Sequence, residues 1–576
     1  MARKGCREFH IGDEDIIQLL MADNSDEEDD LQLDEEDQQF IEQDVENGTA
    51  VVVIEDSVSN ERDQNNQSAL SSSSETIPIF GWRKNSYVPH EFHESEYEFG
   101  RINILSDRQG MLLPMEIFME VTQLDQLVSD IIVKESIKYA QQNGRPFTVS
   151  FDEMKAFLGM NFVMSYHVLP TIRNYWSTDE DMSVPFVANV MPRTRFEQIR
   201  QNLHFSDNDN NRQSNDRAYK IRPVMQHFNL CFQAAMNNSK RQSIDEHMIK
   251  FKGHNIMKQY IKNKPIKWGF KMWCRAESST GYLYQFDLYT GKKTNTEVGL
   301  GESVVLSLSE QLKGLGCEVY FDNFFNSPAL QHKLMTQNTK ACGTVRTNRK
   351  SVPKSLPTDK SMQRGNIYAV SSNGITFTKW MDTKAVHMLT NFISPVQTST
   401  IKRRQAGTAQ KINVTCPEVV MQYNKYMGGV DLMDQRKACY EVDRKAKIKY
   451  YLRLFFDMLD IAMNNAYLVY VKLHEAHRVE GPLLTSLEFR QHIARGLINN
   501  FTCRQRSRPT LVSSEKLRIG NKRNLPAHNM QKAEKMKRCV NCAKRRIENR
   551  TYNICVMCNV HLCYTSTRNC FAEYHN

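Results

Sequence analysis

Apolar positions along the chain change their spacing several times, and each change marks a different kind of element. Pro114 suits a first helical turn, and Leu124, Leu127, Val128 and Ile131 then recur at helix spacing. A second helix opens at Ser150 with Glu153 three residues on, a capping box ahead of MKAFLGMNFVM. From residue 241 the period shortens to two. SIDEHMIKF reads as a strand, and WGFKMWCRA and YLYQFDLYT flank the turn residues ESSTG as a hairpin, with Tyr282, Tyr284, Phe286 and Leu288 alternating onto one face. SVVLSLSEQLKG returns to helical spacing through Val304, Leu308 and Leu312, and the apolar run VYFD follows as a further strand. Three antiparallel strands, a helix and another strand are the order of an α/β RNase H-like core.

The pattern then breaks. Residues 349–415 are rich in Lys, Ser, Pro and Gly around an expected hairpin that includes TFTKWMDTKAVHML, which predicts an insertion peripheral to the sheet. MGGVDLMDQ opens another helix, and 446–500 resume apolar helical periodicity. The expected organisation is a helical half at 106–240, a core in two parts at 241–348 and 416–440 split by the insertion, and a second helical half at 441–503. A basic linker at 504–537 leads to a Cys-rich module at 538–576. The most apolar segment, 450–471, is interrupted by Arg453, Asp457, Asp460, Asn464 and Asn465, which argues against a membrane span. The start lacks the pattern of a secretory leader, so a soluble, intracellular protein is expected.

Charge sharpens this picture. Residues 1–64 hold 21 Asp/Glu against 4 Lys/Arg, which leaves +26 on the remainder of a chain whose net charge is +9. Acidic runs and the Ser-rich SALSSSSE cannot bury enough apolar surface to offset ordering entropy, so 1–105 is expected to be a disordered acidic region. It could act as an interaction segment or mimic DNA against the body. The basic body suits a polyanion.

Candidate chemistry gathers at carboxylates. Asp245 sits within the first strand and Asp322 at the end of the fourth, side by side if the sheet is RNase H-like. Asp431 and Asp434 lie three apart behind Gly428-Gly429 and can face the same way from a helix start. Such convergence is what a two-metal phosphoryl-transfer site needs: hard oxygen ligands for Mg²⁺ ions about 4 Å apart. Glu246 and Asp287 are nearby acids; Asp287 lies on an outward polar pattern. Lys262, Lys264, Lys267 and Lys271 surround Trp268, and Arg346 and Arg349 follow the fourth strand in GTVRTNR. Cations there can clamp DNA phosphates and an aromatic can stack on an unpaired base; alternatively the lysines are a solvated edge and Trp268 is core.

Six of the 14 cysteines fall in the last 38 residues. Cys539-x2-Cys542, Cys555-x2-Cys558, Cys563, Cys570 and His575, with His561 between, offer eight thiolate and imidazole ligands, enough for two closed structural Zn²⁺ sites or one with spare cysteines.

SIDEHMIKFKGH, YIKNKPIKWGFKMW, VYFDNFFNS, GTVRTNR, YNKYMGGVDLMDQ and the terminal CFAEYH resemble the piggyBac transposase family, over roughly residues 110–576. The resemblance implies an RNase H-type (DDE/D) catalytic core with an inserted domain, flanked by halves of a helical dimerisation and DNA-binding domain, and a Cys-rich C-terminal domain that recognises element ends. It matches the family's catalytic acids to Asp245, Asp322 and Asp431, with Asp434 the additional acid, none substituted. It further implies transposon-end DNA as substrate, TTAA target sites and a homodimer. Two functions are expected to compete: an active transposase, or a domesticated nuclear DNA-binding or chromatin protein that no longer transfers strands. A nuclear location follows from either, with weak support from Lys402-Arg403-Arg404 and Lys544-Arg545-Arg546.

Overall fold

In the computed structural model the described residues are 78–106, 108, 110–211, 216–261, 264–291, 299–405, 410–442, 449–503, 529–565 and 568–575. The acidic stretch to 77, Lys262 and most of the basic linker lie outside them. Contacts divide the chain into two units, residues 1–504 and 505–576.

Helix α1 (Pro114–Thr122) starts at its proline, and Glu116 accepts the Leu113 N–H at 2.9 Å. After the left-handed Gln123, a helical run through Leu124–Gln126 and the π-turn Leu127–Val133 reaches α2 (Lys134–Gln142). Ser150 caps α3 (Phe151–Tyr166) by accepting the Glu153 N–H. Only half of the expected capping box forms, because Glu153 turns to Arg195 through two 2.6 Å hydrogen bonds. Helix α4 (Arg193–Asn202) and α5 (Arg222–Ala235) complete the first helical half. The second half is α10 (Tyr450–Glu475) and α11 (Ser486–Ile498). The halves share one apolar core, with α3 lying against α11 so closely that a Cβ on Gly159 would stand 2.8 Å from the Ala494 carbonyl oxygen.

The polar residues of α10 are its anchors. Arg453 donates to the Lys250 carbonyl, Asp460 pairs with Arg490, and Asn465 bonds both backbone groups of Leu283. Buried polar side chains need such partners. Among the described residues no helix is long and apolar enough to cross a membrane.

The core strands are β1 (Arg241–Lys250), β2 (Gln259–Tyr260), β3 (Trp268–Glu277), β4 (Leu283–Leu288), β5 (Glu318–Phe321) and β6 (Lys340–Thr344). They pair β4-β3-β1-β5-β6, with β3 antiparallel to β1 and β4, and β5 and β6 parallel to β1. This is the RNase H-like order. Helix α6 (Leu300–Leu308) crosses from β4 toward β5, and α7 (Pro328–Thr336) joins β5 to β6.

Three expectations change. The insertion is not peripheral: β7 (Ile367–Ser372), β8 (Ile375–Met381) and β9 (Ala385–Thr390) extend the central sheet, because β9 pairs with the open edge of β6. Only β10 (Thr398–Arg404) and β11 (Lys411–Pro417) form a separate ribbon, which leads into α8 (Glu418–Tyr426) and α9 (Gly429–Ala438). Arg346 and Arg349 follow β6, the last core strand, and not the strand that ends just before Asp322. The tail expected to 105 is in place from 78: Arg83 bridges Ser371, Trp82 donates to the Ser351 carbonyl, and Gly100 bonds Asn238. Its aromatic residues supply the apolar surface that the acidic runs lack.

In the C-terminal unit, β12 (Met530–Arg538) pairs with β13 (Arg550–Cys555), and β13 with β14 (Val560–His561). The module thus begins inside the expected linker. A β15 (Tyr564–Thr565) and β16 (Arg568–Asn569) hairpin and a last helix, Cys570–His575, close it.

Candidate active site and metal-binding module

Strand register places the first two acids. Ile244 of β1 pairs in parallel with Phe321 of β5, so Asp245 and Asp322 are the next residues on adjacent strands, whose spacing is about 4.8 Å. Asp245 accepts the Glu246 N–H at 2.8 Å, and Asp322 accepts the Phe324 N–H at 2.8 Å. Burial raises the Asp245 carboxyl well above its ordinary range, and Glu246 adds to this against the opposing Lys264. Burial also raises Asp322, again with Glu246 and against the Phe324 N–H and Arg346. Two acids that resist ionisation side by side constitute a site that favours a cation.

The third acid comes from α9. A Cβ on Gly429 would lie 2.5 Å from Ser243 Oγ and 2.6 Å from the Glu277 carbonyl oxygen, so only glycine lets this helix start against β1 and β3. Two residues on, Asp431 is exposed and acts with Asp245 and Glu246 on the charge of Lys264. Asp434 is placed differently. It lies 2.6 Å from His247 Nδ1, a bent ion pair, while His247 Nε2 lies 2.9 Å from Asp457 of α10. Burial pulls the His247 pKa down, but Asp434 and Asp457 overcome this and raise it to about 9. Lys437 is 2.7 Å from Asp457 and 3.0 Å from Glu441. A buried chain of alternating charge therefore ties α9 to β1 and α10.

The expected DNA-binding cations divide. Lys264 pairs with Glu246 at 3.3 Å, within the acid cluster. Lys267 is exposed, beside a Trp268 that is 40% exposed and so not core; Trp268 packs on Tyr260 and under Lys258. Arg346 is exposed and donates to Asn323 Oδ1 at 2.9 Å. Arg349 donates to the carbonyls of Asn323 and Phe324, bracing the turn that carries Asp322. Asp287 is exposed and 3.4 Å from Arg222, apart from the acids. His247, Asp457 and Lys437 escape sequence reasoning. Only His247 left a signal there, two residues after Asp245 on the same strand face.

In the C-terminal unit, Cys539, Cys542, Cys563 and Cys570 gather their sulfur atoms within 4.8 Å of one another, and the sulfur atoms of Cys555 and Cys558 gather with a ring nitrogen of His575 as closely. The groups interleave along the chain, so each spans the module. Cys542 Sγ is 3.6 Å from both Cys563 and Cys570, close to the ligand–ligand edge of about 3.8 Å in a tetrahedron of 2.3 Å bonds. His575 directs Nε2 to Cys558 Sγ at 3.4 Å and Nδ1 to the Phe571 carbonyl at 2.7 Å, the orientation of a metal-binding imidazole. His561 stands outside both groups, its Nδ1 held 2.9 Å from the Thr551 carbonyl by β-sheet pairing. This cluster could hold metal, and its thiolates suit zinc.

A family profile described as Transposase IS4 matches residues 113–467. The chain is 32% identical over 467 residues to human PiggyBac transposable element-derived protein 3, covering 78% of this chain and 74% of that protein. Identity to human PiggyBac transposable element-derived protein 2 is 32% over 383 residues, covering 64% and 63%. The fold is similar to a piggyBac transposase solved in a synaptic complex with hairpin DNA, with a TM-score of 0.61 and 24% identity over 72% of this chain and 86% of that one.

Proposed function

The chain belongs to the piggyBac transposase family, and from that premise we propose that it is a DDE/D-type enzyme that cleaves and rejoins DNA strands at transposon ends and TTAA targets. The observation that carries this reading is the adjacent, half-buried Asp245 and Asp322 pair, with Asp431 two residues into the glycine-tight start of α9. The donor set is all carboxylate oxygen, and the acids' resistance to ionisation fits divalent cations, for which Mg²⁺ is the hard-ligand choice. Asp245, Asp322 and Asp431 would hold them. When bound, the metals supply Lewis-acid activation of the attacking oxygen and stabilisation of the leaving one.

The chain's own residues do the rest. Arg349 fixes the turn behind Asp322, Lys264 balances Glu246, and His247 holds Asp434. Asp434 supports the site from its ion pair, while Arg346 and Lys267 offer charge to DNA phosphates. In the C-terminal module Cys539, Cys542, Cys563 and Cys570 would hold one structural zinc ion and Cys555, Cys558 and His575 a second, whose fourth position we assign to His561, a residue outside the group as it stands. Action on DNA as a nuclear homodimer completes the reading.

A second reading, a domesticated DNA-binding protein without strand transfer, draws on relatives whose names describe them as transposable element-derived. An excision reporter bounded by the gene's own flanking DNA separates the two. Excision by wild type that Asp322→Asn abolishes is expected; normal DNA binding without excision from verified transposon ends would leave the second reading.

A further inference from the structure

Lys402-Arg403-Arg404 looks like a linear import signal, yet it is locked into a strand. β10 pairs with β11 from Thr398↔Pro417 to Arg404↔Lys411, so alternate residues face opposite ways. Ile401, Ile412, Val414 and Cys416 turn inward to a core with Trp380 and Met388, and Trp380 Nε1 donates to the Thr415 carbonyl at 2.8 Å. Arg403 shares that inner side, 3.2 Å from Asp382, which Arg364 also engages at 2.7 Å. Asp382, the carboxylate on this inner side, is thus already paired with two arginines.

The outer side is formed by exposed Thr398, Thr400, Lys402 and Arg404 on β10 and exposed Lys411, Asn413 and Thr415 on β11. Cross-strand pairing sets Lys402 beside Asn413 and Arg404 beside Lys411. Every side chain there is a hydrogen-bond donor or a cation and none is acidic, the composition that meets phosphate and sugar oxygens. A two-stranded ribbon is also one of the shapes that the major groove of DNA admits.

Position links this face to the acids. β11 runs straight into α8, where Tyr423 shares an apolar cluster with Tyr320 of β5, two residues before Asp322; the Tyr320 ring lies 5.3 Å from that of Tyr426. Six helical residues separate Pro417 from Tyr423, about 9 Å, and six strand residues separate Pro417 from Lys411, about 20 Å. The far end of the ribbon therefore lies within roughly 29 Å of Tyr423 along the chain path, less than one turn of duplex at about 34 Å.

We propose that the outer face of the β10–β11 ribbon, through Lys402, Arg404 and Lys411, is a binding site for the backbone of duplex DNA within one helical turn of the scissile phosphate. The inference rests on the reading of the chain as a DNA-handling enzyme. It gives the basic triplet a role in the folded state, where Arg403 is turned away from any linear recognition by an import receptor.

The test uses the full chain, a 40-base-pair duplex of arbitrary sequence and salt from 50 to 200 mM. Each phosphate contact contributes about 0.9 to the slope of log affinity against log salt, so Lys402→Ala/Arg404→Ala/Lys411→Ala is expected to flatten that slope by up to about 2.7. Over this range wild-type affinity would fall up to roughly 40-fold more than that of the variant. The charge-keeping Lys402→Arg/Lys411→Arg is expected to retain the wild-type slope. An unchanged slope in the triple variant overturns the proposal; if the same variant is also excluded from nuclei, the triplet is an import signal instead. Loss of slope in the charge-keeping variant would trace the effect to distortion and overturn it too. Wild-type protein that binds no duplex would sink the parent reading, an outcome distinct from wild-type binding with an indifferent ribbon.

Discussion

A carboxylate buried beside another is stabilised by losing its charge, which sets the expected behaviour of Asp245 and Asp322. Asp245→Asn should abolish excision and, in chelator, raise stability to urea by on the order of 1 kcal/mol; a loss of stability would contradict the like-charge account. The buried Asp457 behaves oppositely, because Lys437 and His247 both balance it. Lys437→Met should cost about 3–5 kcal/mol in urea unfolding, and adding Asp457→Asn should recover part of this. A single-mutant cost under about 1 kcal/mol would mean the pair contributes little. The positions of the acids were legible in the sequence because each lies in a recognisable element, Asp245 within β1, Asp322 just after β5, and Asp431 and Asp434 in α9. The His247–Asp457 pair was not, because its members lie 210 residues apart and only the packed helix brings them together.

Elements set distances that residues alone cannot. Gly429→Ala would push the start of α9 off Ser243 and the Glu277 carbonyl and displace Asp431. A shift of about 1 Å at a reacting centre costs on the order of 10²-fold, so excision should fall by that factor while end-DNA affinity, measured in parallel, stays within about twofold. Matched losses in both would point to general misfolding. The α3–α11 contact makes the same kind of demand, and Gly159→Ala should cost about 1–3 kcal/mol in thermal unfolding. Strands β1, β3 and β4 were readable from alternation and turn residues. β6, in KACGT, was not, since a short buried strand carries no polar alternation. Nor could the attachment of β9 to β6 be read, because sheet edges join through backbone groups that every sequence shares.

At the scale of the whole molecule, the two units should respond separately to metal. A strong zinc chelator is expected to unfold residues 530–575 while the apolar cores of residues 112–498 keep their melting transition, because a module with so few buried apolar residues besides its cysteines depends on its ligands. His561→Ala should lower bound zinc from two ions per chain toward one, read by elemental analysis; two retained ions would remove His561 from the second site. By itself the sequence determined the main helices, the strands β1, β3, β4 and β5, the motifs that carry the acids and the cysteine spacing, because these depend on local periodicity and on residue chemistry. The tertiary structure decided which acid is free and which is paired, where the insertion joins the sheet, how the cysteines divide into interleaved groups and which way each residue of the basic triplet faces. Those outcomes depend on long-range packing and backbone pairing, which leave no mark on local spacing.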